Sequence, residues 1–164
     1  MRSALLASLS IVALGVSMSA FAAGGGGGGA SESFQTPAKP VDPNFAQAKL
    51  MIEGKNYAAA MPLLRQVVAK DPRNADAYNL MGYATRKSGD PNGSLVYYNQ
   101  ALGIDPKHLG AHEYVGEAYL QLDRLPEAEQ HLARLDSLCL FGCAEYRMLK
   151  AAIADYKAGK KPTN

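Results

Sequence analysis

Residues 75–108 read ADAYNLMGYATRKSGDPNGSLVYYNQALGIDPKH, and residues 109–142 read LGAHEYVGEAYLQLDRLPEAEQHLARLDSLCLFG. The two stretches carry a shared period of 34 residues that also reaches back to about residue 42. Asp71-Pro72 recurs as Asp105-Pro106, and Gly82 recurs as Gly116. Ala60, Ser94 and Ala128 form a ladder of small residues at that interval, and Leu64, Tyr98 and Leu132 a ladder of large apolar ones. Several position classes sharing one period mark a repeat architecture in which each unit buries its apolar face against the next.

Each unit predicts two helices. In 75–108, Tyr78, Met81, Gly82 and Thr85 recur at helical spacing, and Ser88-Gly89-Asp90 then breaks the helix. Pro91 suits the first turn of a second helix, where its missing N–H is not needed. Leu95, Tyr98, Ala101 and Leu102 supply that helix with an apolar face, and Asp105-Pro106 ends it, because a residue before proline is pushed out of the α region. In 109–142, His112, Val115, Gly116 and Tyr119 face inward, and Leu125-Pro126 opens the partner helix lined by Ala128, Leu132 and Leu135. The first unit, 41–74, is weaker: Asn44, Gln47, Ala48 and Met51 fill its first seam, which suits an end repeat with one side in solvent. Pro62 falls inside its second helix and removes one backbone bond. The small residues Gly82, Gly116, Ala60, Ser94 and Ala128 are expected where the two helices of a unit approach. A leucine at Gly82 or Ala128 should cost on the order of 1–3 kcal/mol through overpacking.

This pattern resembles the tetratricopeptide repeat family, whose unit reads large-x2-Leu-Gly-x2-Tyr, then Ala-x3-Phe, then Pro. Tyr78, Met81, Gly82, Thr85, Ser94, Tyr98 and Pro106 match in the second unit. His112, Val115, Gly116, Tyr119, Ala128 and Leu132 match in the third, where Leu140 replaces the closing proline. In the first unit Ala60, Leu64 and Pro72 match, while Asn44, Gln47 and Ala48 depart from the pattern. The resemblance covers roughly residues 41–140 and implies an all-α solenoid of three repeats (41–74, 75–108 and 109–142) with a concave surface that holds peptides or protein segments. A seventh helix follows in 143–158, with Tyr146, Leu149, Ile153 and Tyr156 in one stripe, and reads as a cap over the last unit.

At 100° per residue, positions 2, 5, 9 and 12 of each first helix point away from its seam. In solenoids of the resembled kind these line the concave face. They are Asp42, Phe45, Lys49 and Ile52; Asp76, Asn79, Tyr83 and Arg86; and Gly110, Glu113, Glu117 and Leu120. The expected partner-binding residues are therefore Phe45, Lys49, Asn79, Tyr83, Arg86, Glu113, Glu117 and Leu120. Some family members capture a peptide carboxylate with Lys, Arg and Asn residues. Lys49, Asn79 and Arg86 could begin such a set, but Glu113 and Glu117 oppose it.

The N-terminus reads as a targeting segment. Arg2 is the basic n-region, Ala4 to Val16 the apolar h-region, and Ala20-Phe21-Ala22 the small-residue cleavage site, so residues 1–22 are expected to be removed after Ala22. An uncleaved anchor is the alternative, although the apolar run is shorter than the ~20 residues that span a bilayer. Residues 23–40, with Gly24 to Gly29 at their head, read as a Gly/Ser/Pro-rich flexible linker. A periplasmic or secreted chain is the expectation.

Seventeen basic residues against 15 acidic ones leave a net charge of +2, which supports neither a nucleic-acid nor an anionic-membrane partner. The only cysteines, Cys139 and Cys143, flank Leu140-Phe141-Gly142. In an oxidising compartment a disulfide is expected, because a turn at Gly142 could bring the Cα atoms into bonding range. Two free thiols or a redox-active pair are the alternatives. Ala144 follows the second cysteine where haem attachment needs His. His108 and His112 could present two nitrogens to a metal, but His112 occupies a packing position and no third ligand is near, so no metal is expected. No phosphate loop, Ser-His-Asp order or carboxylate pair is present, so neither catalysis nor a cofactor is expected. The leading function is a non-catalytic protein-binding scaffold or adaptor of the bacterial envelope. A thiol-active protein using Cys139 and Cys143, or a self-associating structural subunit, are the alternatives.

Overall fold

A computed structural model describes residues 41–162, so the expected signal segment 1–22 and the linker 23–40 lie outside the described residues. Seven helices follow in order: α1 (Pro43–Glu53), α2 (Tyr57–Lys70), α3 (Ala75–Lys87), α4 (Pro91–Ile104), α5 (Leu109–Gln121), α6 (Leu125–Leu138) and α7 (Ala144–Lys157). No strand occurs among the described residues. The helices pair as α1 with α2, α3 with α4 and α5 with α6, and each pair packs on the next through α2–α3 and α4–α5 contacts. The result is a helical solenoid.

Local chemistry sets the helix ends with the same period as the core. Asn56, Asn74 and Asp90 cap α2, α3 and α4 by accepting from the N–H three residues on. His108 does this for α5 through Nδ1, which accepts from the Ala111 N–H. In the turns between units, Asp71 and Asp105 accept from the N–H of Arg73 and Lys107, so the chain reverses around the proline that carries no N–H of its own. Within the units, Lys55, Gly89 and Asp123 share one repeat position, and all three adopt positive φ: 58°, 98° and 58°. Glycine is free there, whereas the other two accept the left-handed conformation at a steric cost.

The core is a row of small residues facing large ones. Ala60, Ser94 and Ala128 have no exposed surface, and neither do Leu64 and Tyr98. Leu132 is only partly buried, packed on the last core cluster. Of the first seam, Ala48 is fully buried, but Gln47 is exposed; among the described residues no helix precedes α1 to cover it. At Gly82 a Cβ would stand 2.5 Å from the Tyr98 ring, the close approach expected between the helices of a unit. Gly116 differs from that expectation: a Cβ there would stand 2.6 Å from Leu149 of α7, not against α6. The reason is that α7 packs on both α5 and α6, in the place where a further unit would put its first helix. Leu149 and Ile153 are buried by that packing.

The third unit ends in a turn instead of a proline. Cys139 takes the repeat position of Asp71 and Asp105, and it is joined to Cys143 with the Cα atoms 5.5 Å apart. The Gly142 N–H donates to the Cys139 carbonyl, and Gly142 takes φ 74°.

Replacing Gly82 with alanine is expected to destabilise the chain by about 1–3 kcal/mol, because the Tyr98 ring is held on all sides. Gly103 of α4 has nothing within 4 Å of the corresponding position, so Gly103→Ala should be neutral or stabilise by up to about 1 kcal/mol. Urea denaturation of the two variants, compared with the parent chain, checks both signs.

Candidate binding groove

The first helices α1, α3 and α5 lie side by side, α3 touching both of the others. Together they form one wall of the solenoid. A groove of about 500 Å³ opens on this wall, lined by Ile52, Glu53 and Lys55 from the end of α1 and its turn, Tyr57 at the start of α2, Leu80, Tyr83 and Lys87 of α3, and Tyr114 of α5. That volume lies within the ~300–1,000 Å³ of sites that enclose a ligand. The rings of Tyr57 and Tyr83 meet edge to face at 6.2 Å, and Tyr83 and Tyr114 at 4.9 Å. A tyrosine row of this kind offers apolar faces with polar tips, which suits contact with a peptide.

Arg86 holds the row in place from behind. It is 2% exposed, its guanidinium pairs with Glu117 of α5, and its Nε donates to the Tyr98 hydroxyl at 3.4 Å. The same guanidinium lies 5.6 Å from the Tyr83 ring centre and 5.8 Å from that of Tyr114. Burial, the largest single influence, would weaken its charge, but Glu117, Tyr98 and Tyr83 together outweigh burial and raise the Arg86 pKa. Burial pushes the Tyr114 hydroxyl up to about 12. Lys87 moves the other way: partial burial, then the charge of Arg86, lowers its pKa.

Glu113 is the second interior ionisable group. It is 3% exposed, and its pKa is raised to about 8, first by burial and then by Glu117 and Glu145. Near neutral pH it is largely a neutral acid.

The residues expected on an open face therefore divide. Lys49 is exposed, and Tyr83 and Glu117 keep part of their surface. Phe45 is half-buried against the core of the first units. Asn79, Arg86 and Glu113 are buried, the Asn79 Oδ1 without a hydrogen-bond partner. Leu120 is a correction. It is fully buried in the cluster with Leu135 and Leu149, because α7 covers the end of α5, and it presents nothing to a partner. Lys49, Asn79 and Arg86 do not form an open carboxylate-binding set, since Glu117 already engages Arg86. Tyr57, Lys55, Lys87 and Tyr114 also line the groove, although they fall outside positions 2, 5, 9 and 12 of the first helices.

The histidines are engaged by protein atoms. His108 donates from Nε2 to Asp76, which lowers the Asp76 pKa. His112 Nε2 donates to the Pro106 carbonyl, which leaves its Nδ1 to accept from His131 Nδ1 at 2.9 Å. Burial, then His112, lowers His131 to about 4, so the pair is neutral near pH 7. Among the described residues no group of three or more His, Cys, Asp or Glu could hold a metal ion. No described helix is long and apolar enough to cross a membrane.

Two models of the tetratricopeptide repeat family match the chain, one over residues 45–108 and one over residues 86–153. Protein O-mannosyl-transferase Tmtc3 of Drosophila melanogaster is 38% identical over 66 residues, 40% of this chain and 7% of the fly protein. Human Protein O-mannosyl-transferase TMTC3 is 32% identical over 83 residues, 51% of this chain and 9% of the human protein. The chain thus spans a small fraction of these relatives' length. Among solved structures, the first TPR domain of Spaghetti (RPAP3), bound to an HSP90 peptide, superposes with a TM-score of 0.61 at 17% identity, covering 70% of this chain and 90% of that one. A MamA structure from AMB-1 gives 0.53 at 24% identity, covering 58% and 56%. At these identities the structures share the fold.

Two variants test the buried charges. A carboxyl whose folded pKa of about 8 exceeds its ordinary 4.5 stabilises the fold fully below the lower value and loses that contribution as pH rises through the higher one. Glu113→Gln should therefore flatten the fall in stability between pH 5 and 9, measured by urea denaturation across that range. Arg86→Ala strands Glu117 beside a cavity and should cost about 3–5 kcal/mol in the same assay.

Proposed function

The chain carries tetratricopeptide repeats, and from that premise we propose that it is a non-catalytic scaffold holding a protein segment in the tyrosine-lined groove. One observation carries this reading: Tyr57 at the start of α2 continues the row of Tyr83 and Tyr114 on the wall of first helices into one aromatic strip. Lys55, Lys87 and Glu53 at its rim give a bound segment charged groups of both signs to align with. Support for a peptide-type occupant comes from the solved relative whose repeat domain is bound to an HSP90 peptide. The arrangement of Arg86 and Glu117 favours a segment that lies across the groove over one captured by its terminal carboxylate.

We place the scaffold in the bacterial envelope, exported by residues 1–22. The segment Arg2 to Ala22 and the Cys139–Cys143 disulfide support an oxidising compartment. The mature chain should begin at Ala23, which N-terminal sequencing of protein recovered from the envelope fraction would read; a retained Met1 would refute export with cleavage.

Selection of a displayed library of random peptides against the full chain tests the groove. Enriched peptides should bind at least about tenfold more weakly to Tyr83→Ala and to Lys87→Glu. Titration calorimetry makes the measurement, and unchanged affinity in both variants would place binding elsewhere.

A further inference from the structure

At the far end of the repeats the chain exposes apolar surface that no other described residue covers. Leu140 is 86% exposed and Phe141 is fully exposed, side by side at the tip of the α6–α7 turn. The turn is built to hold them there. Cys139 and Cys143 close it covalently, the Gly142 N–H bonds back to the Cys139 carbonyl, and Arg147 donates to the Gly142 carbonyl at 3.3 Å. A knob fixed in this way loses little conformational freedom on insertion into a pocket. Two large apolar side chains held open to water are an unmet burial of the kind that marks an interaction site.

We propose that the occupant of the tyrosine-lined groove is this knob from a second copy of the same chain. The proposal rests on reading the groove as a docking surface, and it names the partner. Shape and polarity agree: the groove offers Ile52, Tyr57, Leu80, Tyr83 and Tyr114 to an apolar tip. Charge agrees as well. Lys55 and Lys87 stand at the groove rim, close enough that Lys55 contributes to lowering the Lys87 pKa, after burial and Arg86. The knob is flanked by Asp136 in the last turn of α6 and Glu145 in the first turn of α7. Arg147, at the base of the knob, finds a counterpart in Glu53. Knob and groove are different surfaces of one chain, so their contact is head-to-tail and leaves a free knob at one end and a free groove at the other. Repeated, such a contact builds open chains, or closed rings where the rotation between copies allows.

Sedimentation velocity of the full chain over a concentration series tests this. The parent chain should form species larger than a dimer as concentration rises. Phe141→Asp, which alters a fully exposed residue, and Lys87→Glu should each weaken association roughly tenfold or more while the circular dichroism spectrum is kept. Mixing the two variants should restore a dimer and nothing larger, because one intact knob and one intact groove remain. Reducing the disulfide should weaken association of the parent chain. A parent chain that stays monomeric, a Phe141→Asp variant that associates like the parent, or a mixture that yields no dimer would each overturn the proposal. So would capture of a monomeric parent by anionic phospholipid vesicles through Phe141, which would make the knob a membrane contact. If the displayed peptides bind the groove while the parent chain stays monomeric, self-docking fails and the groove reading stands; if neither occurs, both fail.

Discussion

The missing Cβ at Gly82 is the constraint on which the binding wall depends. It lets the Tyr98 ring lie against the α3 backbone, with no exposed surface left on the ring. From that position the Tyr98 hydroxyl meets Arg86, and Arg86 in turn reaches across to Glu117 of α5 and lies beside Tyr83 and Tyr114. One absent carbon in the core thus sets the spacing of the aromatic row on the surface. Displacing the ring would move the guanidinium, and the guanidinium orients both tyrosines. Packing and recognition are therefore a single problem in this part of the chain.

Charge inside the wall has a related consequence. Arg86, Glu113 and Glu117 occupy a few turns of two adjacent helices, where a low dielectric makes every pairing choice costly to reverse. Arg86 and Glu117 satisfy one another, which leaves Glu113 as the group that keeps its proton. The wall consequently offers a ligand aromatic faces and rim charges, while its strongest cation is already engaged from within.

The fold was legible in the sequence because its cause is periodic. Ala60, Ser94 and Ala128 must be small, and Asp71-Pro72 and Asp105-Pro106 must stop helices, at one interval, so the constraint repeats where it can be seen. The Cys139–Cys143 staple was legible from the flanking Gly142. The groove was not, for two physical reasons. Counting angles on a single helix assumes one buried face, but α5 touches α3, α4, α6 and α7, so its buried arc takes in Glu113 and Leu120 as well as the seam. The groove tyrosines, in turn, break the repeat. Tyr83 stands where the next unit has Glu117, Tyr114 where the previous unit has Leu80, and Tyr57 where the next has Pro91. A search for what recurs passes over them; the aromatic residues that fail to recur were the available signal. The left-handed positions Lys55 and Asp123 were hidden for the opposite reason, since only Gly89 declares that conformation by its type.

The notch at Gly116 bears on how such a chain can change length over evolutionary time. Leu149 fills it from α7, so the last unit is matched to its cap and to nothing else. A tandem copy of 109–142 would seat the cap on the copy's own glycine and give the inner Gly116 a side chain other than Leu149 to receive. A duplication inserted before residue 109 would leave the Gly116–Leu149 pair untouched. Lengthening should therefore be tolerated at the interior of the array and resisted at its end, and homologous chains with more units are expected to keep this terminal pair while varying in the number of units ahead of it.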